Sequence, residues 1–303
     1  MKEYINDEGI IVKEKSIKEI TCLIIDTCTW INIGQTFYND LLFEFLSLVY
    51  RHEIRLIVPK QVKDEWERHK VEKIKTNLVG SLRGSLNTAS KLKELIEDKD
   101  RKNEFKQFID AIRSEEERIV NKTADYNIMT IEQMMSHVLT KVIDHSDDVI
   151  KKSVEWALQN KRPFRKNKNS IGDALIMFSA IEHAKENEYK EVYFISNNTE
   201  DFSDDKNKKE IHSDIKPLFD EANIKYSINL PEVLKNVFRS SIRDEIVQDF
   251  NNTNIIEQKQ YCPKCSDNVE MYGSWKPSYA GLTWQYTCPK CRYSIDTGDY
   301  FDY

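Results

Sequence analysis

The sequence lacks a long apolar run, and this absence bounds the class of protein. None of its 303 residues belongs to an unbroken apolar stretch of about 18, the length that a membrane-spanning helix needs. The first segment, 1–19, mixes Lys with Glu and has no apolar core, so it does not resemble a secretory signal peptide. We therefore expect a cytoplasmic protein without a membrane partner.

An excess of basic charge is also missing. The chain has 45 Lys and Arg against 51 Asp and Glu, which gives a net charge of -6. This balance argues against a broadly basic protein that coats nucleic acid. It leaves open an enzyme whose acidic pocket is balanced by metal ions.

Proline is scarce in the middle of the chain. Between Glu65 and Asp173 there is only Pro163, and the stretch is dense in Lys and Glu with apolar residues at helical spacing. The apolar positions are Leu78, Leu82, Leu86, Ala89, Leu92, Leu95 and Ile96, and then Ile128, Ile131, Met134, Met135, Val138, Leu139 and Val142. They predict a helical insertion over about 70–160. We expect a cap packed on a core, and a lid over a substrate channel is the alternative.

Four acidic residues stand out by their position. Asp26 ends the apolar run 21–25, which is typical of a buried parallel strand. Glu65 lies in the first turns of a helix that follows the strand-like run 54–59, which ends at a proline. Asp173 begins an apolar helix, and Asp201 follows the strand 192–196 and a polar turn.

These positions bring the four carboxylates to one edge of a parallel sheet. Converging like charges costs free energy unless a cation neutralises them, so the pattern predicts a site for Mg²⁺ or Mn²⁺. Taken singly, Asp26 or Asp173 could instead be a helix cap, and Glu65 a surface residue.

The same residues carry a resemblance to a known family. The strings Ile24–Thr27, Val58–Pro59 with Val62 and Glu65, Gly172–Ile176 and Phe194–Asn198 with Asp201–Phe202 resemble those of PIN-like nuclease domains. The resemblance covers about residues 18–230, and within the family it is narrower to the subgroup with a long helical insertion before the third acid.

The resemblance implies an α/β fold, namely a three-layer α/β/α domain with a central parallel sheet. It also implies a metal-dependent phosphodiesterase, usually a ribonuclease. Asp26, Glu65, Asp173 and the turn of Asn198 and Asp201 would form the metal site, with Ser196 as an orienting residue. Family members often have an acid where this chain has Asn198, so the fourth carboxylate is expected from Asp201.

A basic segment precedes the third acid. Five of the eight residues 161–168 are Lys or Arg, and four of them are assigned here to substrate binding: Lys161, Arg162, Arg165 and Lys166. Such a loop beside a phosphodiester-cleaving site would attract phosphates, and Phe164 within it could stack on a base. An ordinary solvated loop is the alternative.

Two CxxC motifs mark the C-terminal region. Cys262 and Cys265 are followed, after 22 intervening residues, by Cys288 and Cys291. This spacing is typical of a structural four-cysteine Zn²⁺ site. Two disulfides are the alternative, but they would not persist in a reducing cytosol.

The chain therefore divides into four predicted segments: an N-terminal extension (1–17), a PIN-like nuclease domain (18–230), a helical linker (231–260) and a zinc-ribbon module (261–303). A module of this size needs a metal to fold. Its aromatic residues either stack nucleobases or form its own core, and docking of a protein partner is as well supported: Tyr272, Trp275, Tyr279, Trp284, Tyr286 and Tyr293.

The sequence thus predicts a metal-dependent endonuclease that hydrolyses single-stranded RNA. Such nucleases often act as toxins, defence effectors or RNA-processing enzymes. A flap-type DNA endonuclease and a catalytically silent scaffold that binds RNA or protein are the alternatives. An oligomer is compatible with the sequence.

Overall fold

The computed structural model describes residues 3–5, 11–13, 16–37, 39–164, 170–240, 261–265, 269–278 and 281–301. The chain forms two compact units, Met1–Ser241 and Ile242–Tyr303. Each has its own cluster of buried apolar side chains, a large one in the first unit and a small one in the second.

The first unit is built around a parallel sheet of five strands. A short antiparallel pair, β1 (Glu3–Ile5) and β2 (Ile11–Lys13), precedes it. The strands of the main sheet are β3 (Thr21–Ile25), β4 (Ile54–Pro59), β5 (Lys141–Ile143), β6 (Glu191–Ile195) and β7 (Ile224–Ser227). Their order across the sheet is β5-β4-β3-β6-β7, with every neighbouring pair parallel.

Helices flank this sheet and give a three-layer α/β/α arrangement, as the sequence predicted. They are α1 (Thr27–Gly34), α2 (Asp40–Tyr50), α3 (Lys60–Leu92), α4 (Lys99–Ser114), α5 (Glu116–Met135), α6 (Asp147–Leu158), α7 (Ile171–Glu186), α8 (Thr199–Phe202) and α9 (Lys216–Glu221). Short 3-10 turns lie at Ile17–Glu19 and Lys93–Leu95. Residues 230–240 are also helical.

The central strands form because their residues are apolar on both faces. All five residues of β3 are buried, as expected for a strand covered by helices on each side. Asp26 is the first residue after β3, and its backbone N–H donates to the carbonyl of Ile195 at the end of β6. Asp26 thus lies at the carboxyl end of β3, where the ladder of hydrogen bonds between β3 and β6 ends.

The helical insertion consists mainly of α3, α4 and α5. Ile74 and Leu78 of α3 and Ile131 of α5 are fully buried in the large core, so the long helices pack against the domain through one face. The prediction was wrong at the end of the insertion, where we extended the helical pattern to Val142. Helix α5 ends at Met135, and Val138 is 84% exposed.

The reason is a strand pairing that short-range spacing does not reveal. Val142 lies in β5, opposite Val58 of β4. The branched side chain of Val142 favours an extended backbone. The parallel ladder with β4 supplies backbone hydrogen bonds in place of those that another helical turn would have formed.

The second unit contains a three-stranded antiparallel sheet. Its strands are β8 (Tyr272–Ser278), β9 (Gly281–Thr287) and β10 (Ser294–Phe301), with β9 in the middle. Cys262, Met271 and Cys288 form its small buried cluster. Such a cluster is too small to hold a domain together by apolar burial alone.

No helix in the described part of the chain is both long enough and apolar enough to cross a membrane.

Candidate active site

The sheet topology creates a crevice at the carboxyl ends of its central strands. From β3 the chain moves through β4 to β5 at one edge, then returns to β6 on the other side of β3 and continues to β7. The connections that leave β3 and β6 therefore run in opposite directions. In open α/β sheets this reversal opens a crevice at the strand ends, where ligands bind.

Asp26 lies at this reversal. Its carboxylate is 3% exposed, and Oδ2 accepts hydrogen bonds from the Ser196 hydroxyl at 2.7 Å and the Cys28 thiol at 3.0 Å. Although Asp26 occupies the N-cap position of α1, its side chain makes no capping hydrogen bond. The capping alternative therefore does not account for this carboxylate.

Burial raises the pKa of Asp26, and the nearby Glu65 carboxylate adds to this increase. The hydrogen bonds from Ser196 and Cys28 act in the opposite direction but do not cancel the effect of burial. Burial and the charge of Asp26 also raise the pKa of Cys28, so this thiol is a poor nucleophile, as expected.

Glu65 reaches the crevice from α3. Its Oε1 accepts a hydrogen bond from the Gln61 amide one turn earlier, at 2.7 Å. Gly172 at the start of α7 makes this approach possible, because a Cβ atom at position 172 would lie 2.7 Å from Glu65 Oε1 and 2.9 Å from Gln61 Nε2. The side chains of α3 therefore occupy space that any other residue at 172 would fill.

Asp173 and Asn198 meet in the same crevice. The Asn198 amide nitrogen donates to Asp201 Oδ2 at 2.7 Å and lies 3.4 Å from Asp173 Oδ1. The Asn198 backbone N–H donates to Ser196 Oγ at 3.0 Å. Ser196 thus connects Asp26 to the turn that holds Asn198, and its orienting role in the site stays a prediction.

Asp201 lies behind this turn rather than on the pocket wall. It belongs to the short helix α8, and its side chain is fully buried. Because the amide nitrogen of Asn198 is directed at two carboxylates, its carbonyl oxygen is the atom left for a metal. Asp201 does not line the pocket that Asn198 lines, and its role as a metal ligand stays a prediction.

One pocket of about 410 Å³ is lined by most residues of the predicted metal site. Among the residues that line it are Asp26, Glu65, Asp173 and Asn198. Among the described residues, the four C-terminal cysteines alone form a group of three or more ligands placed closely enough to hold a metal ion, and the three carboxylates do not form such a group. An all-oxygen set of three carboxylates and an amide suits Mg²⁺ or Mn²⁺ better than Zn²⁺.

A polar face of α3 that the sequence pattern did not indicate lines the same pocket. Arg68, His69, Lys73 and Asn77 follow Glu65 at intervals of about one helical turn. The signal was present as polar residues spaced three or four apart from Glu65. It was hidden because charged residues occur throughout this helix.

The predicted substrate loop is arranged differently from the expectation. The guanidinium of Arg162 is bound to the carbonyl of Glu200 and to the Asp205 carboxylate at 2.8 Å. The ammonium of Lys161 lies 5.3 Å from the centre of the Trp156 ring. Neither residue lines the acidic pocket.

The rest of that loop gives two further outcomes. Arg165 and Lys166 lie outside the described residues. Phe164 was expected to be available for base stacking, and this was wrong, because its ring is 9% exposed and belongs to the large core. An aromatic side chain beside charged neighbours can still be drawn inward by the free energy of apolar burial.

A second, more apolar pocket of about 470 Å³ adjoins the first, and Asn32 lines both. It is bordered by α1, by the end of β7 and by the start of the helical segment 230–240. No Lys or Arg of the described chain lines it.

The second unit brings its four cysteines together. The Sγ atoms of Cys262, Cys265, Cys288 and Cys291 lie within 4.8 Å of one another. The Cys262–Cys291 and Cys265–Cys288 sulfur distances are 3.5 and 3.8 Å. A disulfide would need about 2.05 Å, whereas a tetrahedral zinc with bonds of about 2.3 Å has edges of about 3.8 Å. The arrangement is that of a metal site and fits a zinc ribbon.

The local backbone favours the thiolate form of Cys288, whereas burial raises the pKa of Cys262 and of Cys265. Burial acts to raise the pKa of Cys288, but hydrogen bonds from the backbone N–H groups of Cys291 and Lys290 outweigh it and lower the pKa to about 6. A thiolate is the form that binds a metal. Of the aromatic residues noted in the sequence, Tyr286 and Tyr293 pack against the small core, which favours a structural role for them.

Comparison with known proteins identifies a family. Residues 23–202 match the family model of the PIN domain. No curated protein and no solved structure matches the chain. The matched region extends from β3 to the end of α8, so it includes the acidic pocket and covers more than half of the chain. The chain belongs to the PIN domain family.

Proposed function

We propose that this protein is a divalent-metal-dependent endonuclease that hydrolyses single-stranded RNA. The observation that carries the proposal is the pocket lined by Asp26, Glu65, Asp173 and Asn198. Three separate elements contribute carboxylates to it, at the position where α/β sheets bind ligands. Membership of the PIN domain family supports a nuclease-like fold that typically uses metals, and the preference for RNA rests on the family resemblance.

Asp26, Glu65 and Asp173 would hold Mg²⁺ or Mn²⁺, with the Asn198 carbonyl oxygen as a neutral ligand. Such an ion lowers the pKa of bound water and stabilises charge on an attacked phosphate. The protein's own contribution is position: Ser196 fixes Asp26, Gln61 fixes Glu65, and Asp201 fixes the Asn198 amide. We therefore assign Asp201 as a positioning residue, and its predicted role as a direct ligand is the alternative.

The burial of Asp26 gives a physical reason to assign a metal ion to this pocket. A carboxylate that is removed from water and faces another carboxylate is costly without a cation nearby. Metal binding would offset both costs at once. An aspartate with a purely structural role would be expected to have a cationic or capping partner, and no side-chain capping bond is formed by Asp26.

For the second unit we propose one structural Zn²⁺ held by Cys262, Cys265, Cys288 and Cys291. The sulfur distances and the lowered pKa of Cys288 support it. We further propose that the module docks a protein partner. Stacking on nucleobases was the alternative, and it has less support because Tyr286 and Tyr293 pack in the module's own core.

The test is cleavage of labelled pools of single-stranded RNA, single-stranded DNA and flap DNA by the purified protein with Mn²⁺ or with EDTA. We expect Mn²⁺-dependent cleavage of RNA that is lost in Asp26→Asn and in Asp173→Asn. Asp100→Asn, an exposed change of the same charge on α4, is the control and should remain active. Preferred cleavage of flap DNA would establish the DNA alternative.

A catalytically silent scaffold is the second candidate, and Asn198 is the observation that favours it. Family members often carry an acid at this position, and an amide adds no charge for a second metal. Tight binding of RNA without Mn²⁺-dependent cleavage would support the scaffold and reject the nuclease.

The proposed cellular role is that of a toxin or defence effector acting in the cytoplasm. It rests on the family resemblance alone. Induced expression of the chain should arrest growth, and Asp26→Asn should abolish the arrest at equal protein level. Equal arrest by both forms would reject the role.

A further inference from the structure

We propose that the polar face of α3 beyond Glu65 binds the phosphates of the substrate strand, with Arg68 and Lys73 as the two phosphate-binding residues. This inference rests on the proposed function and deepens it. It concerns a different surface from the segment 161–166, whose binding of phosphates stays a separate prediction. We call the stretch from Glu65 to Asn77 the α3 arm.

The first observation is placement. Arg68 and Lys73 line the same pocket as the three carboxylates, together with His69 and Asn77. They are the only Lys or Arg residues among the described residues that line it. A phosphodiester that reaches the acidic pocket therefore lies beside these two cations.

The second observation is that both cations are available. Arg68 and Lys73 are exposed, and neither forms an ion pair with a described residue. Most other basic side chains of α3 are paired with acids: Lys60, Lys70, Lys75 and Arg83. The helix thus pairs four of its eight Lys and Arg side chains with acids, and the two at the pocket are among the four that it leaves unpaired.

Arg68 is also held in position. Its Nε donates to the backbone carbonyl of Asp64 at 3.1 Å, which leaves the other guanidinium donors for a ligand. A guanidinium fixed at one end loses less conformational entropy when it binds a phosphate.

The spacing along the helix separates the two roles. Arg68 lies about 4.5 Å along the axis from Glu65, and Lys73 about 12 Å. In a B-form duplex one strand carries a phosphate about every 3.4 Å along the helix axis, and an extended strand spaces its phosphates more widely along its length. Arg68 therefore faces the phosphate at the acidic pocket, and Lys73 faces a phosphate further along the strand.

The competing explanation is that these cations only balance the carboxylates of the pocket. Neither residue lies within ion-pair distance of Asp26, Glu65 or Asp173. The two explanations predict different effects of removing these cations. Counter-ions would change metal affinity, whereas phosphate-binding residues change substrate affinity and its dependence on salt.

The experiment compares Arg68→Gln and Lys73→Gln with Lys63→Gln. Lys63 is an exposed, unpaired lysine on the same helix that does not line the pocket. Binding of single-stranded RNA is measured against salt in an Asp26→Asn background, which prevents turnover. Cleavage of a dinucleotide and of a longer strand is measured in the otherwise wild-type protein, and Mn²⁺ affinity is measured by calorimetry.

The slope of log K against log salt is negative, and we expect Arg68→Gln and Lys73→Gln each to reduce its magnitude by about 0.7. Lys63→Gln should leave it unchanged. Lys73→Gln should raise KM for the longer strand without changing kcat, and should not affect the dinucleotide. Arg68→Gln should impair cleavage of both substrates.

Equal salt slopes in all three variants would overturn the inference. So would a loss of Mn²⁺ affinity as large as the loss of RNA affinity. Suppose that the two variants change the salt slope of RNA binding as expected but the wild type does not cleave RNA. The proposed function then fails, and the inference that the α3 arm binds phosphates holds. If the wild type cleaves RNA and the slopes do not change, the α3 arm fails and the proposed function stands. If it neither binds nor cleaves, both fail.

Discussion

At the scale of single residues, Asp26 is the point at which stability and the proposed function oppose each other. Burial raises its pKa, so the native state binds the proton more tightly than the unfolded chain does. The ionised form therefore costs stability at pH values above the unfolded pKa of about 3.9. This cost increases until the pH passes the raised native pKa and is constant above it.

We accordingly predict that Asp26→Asn inactivates the protein and stabilises its metal-free form. The gain should be about 0.5–2 kcal/mol at neutral pH and should shrink as the pH falls toward 4. The measurement is thermal unfolding in EDTA across this range, with Asp100→Asn as the control. Mn²⁺ should raise the melting temperature of the wild type more than that of Asp26→Asn. Identical melting of wild type and Asp26→Asn at every pH would reject the explanation.

Asn198 and Asp201 provide a second test at this scale, because one lines the pocket and the other is buried behind it. Asn198→Ala removes the pocket-facing amide and the donor to two carboxylates. Asp201→Asn retains an oxygen that can accept the hydrogen bond from Asn198.

We predict that Asn198→Ala lowers kcat/KM by about ten- to a hundredfold, the usual effect of losing an outer partner or weak ligand. Asp201→Asn should have a much smaller effect. The measurement is cleavage as a function of Mn²⁺ concentration for both variants. If Asp201→Asn is the more damaging and excess Mn²⁺ restores it, then Asp201 supplies a direct charge to the metal, as the sequence had indicated.

At the scale of secondary-structure elements, the site depends on the close approach of α3 and α7 at Gly172. The atoms that a Cβ would meet are the ends of the Glu65 and Gln61 side chains, which can move without disturbing the backbone. A substitution here should therefore displace the carboxylate while leaving the protein folded.

We predict that Gly172→Ala lowers turnover by about ten- to a hundredfold, since a shift of about 1 Å can cost this much. Its melting temperature should not fall, because alanine favours helices over glycine by about 1 kcal/mol. Gly84→Ala is the matched control: this residue lies in α3 with no atom close to an added Cβ. The control should be as active as wild type. Full activity of Gly172→Ala would show that Glu65 is not needed in its present position.

Elements also explain how much of this protein its sequence predicted. Asp26 and Asp173 were found because apolar strands and helices place their ends predictably at a sheet edge. Arg68 and Lys73 were missed because the direction of a side chain on a long helix depends on how that helix is rotated against the core. The bond from Arg162 to Asp205 could not be predicted, because the two residues are 43 positions apart in the sequence. Strand β5 was missed because its pairing with β4 joins residues that are still further apart in the sequence.

At the scale of the whole molecule, the two units differ in what stabilises them. The first has an extensive apolar core, whereas the second has a small cluster that includes Cys262 and Cys288. Structural zinc contributes about 10–16 kcal/mol in small modules, which is more than such a cluster can supply. Loss of the metal should therefore unfold the second unit without unfolding the first.

We predict about one zinc per chain in protein purified under reducing conditions. Cys291→Ser should lose the metal, and proteases should then cut within 261–303, while the melting transition of the first unit stays unchanged. Lys290→Ser, a change in the same turn that retains all four thiols, should keep both zinc and protease resistance. Elemental analysis, limited proteolysis and calorimetry provide the three measurements. A Cys291→Ser protein whose first unit melts at a lower temperature would show that the two units share stability, and zinc-free wild type with a resistant C-terminal unit would exclude the metal as its stabilising element.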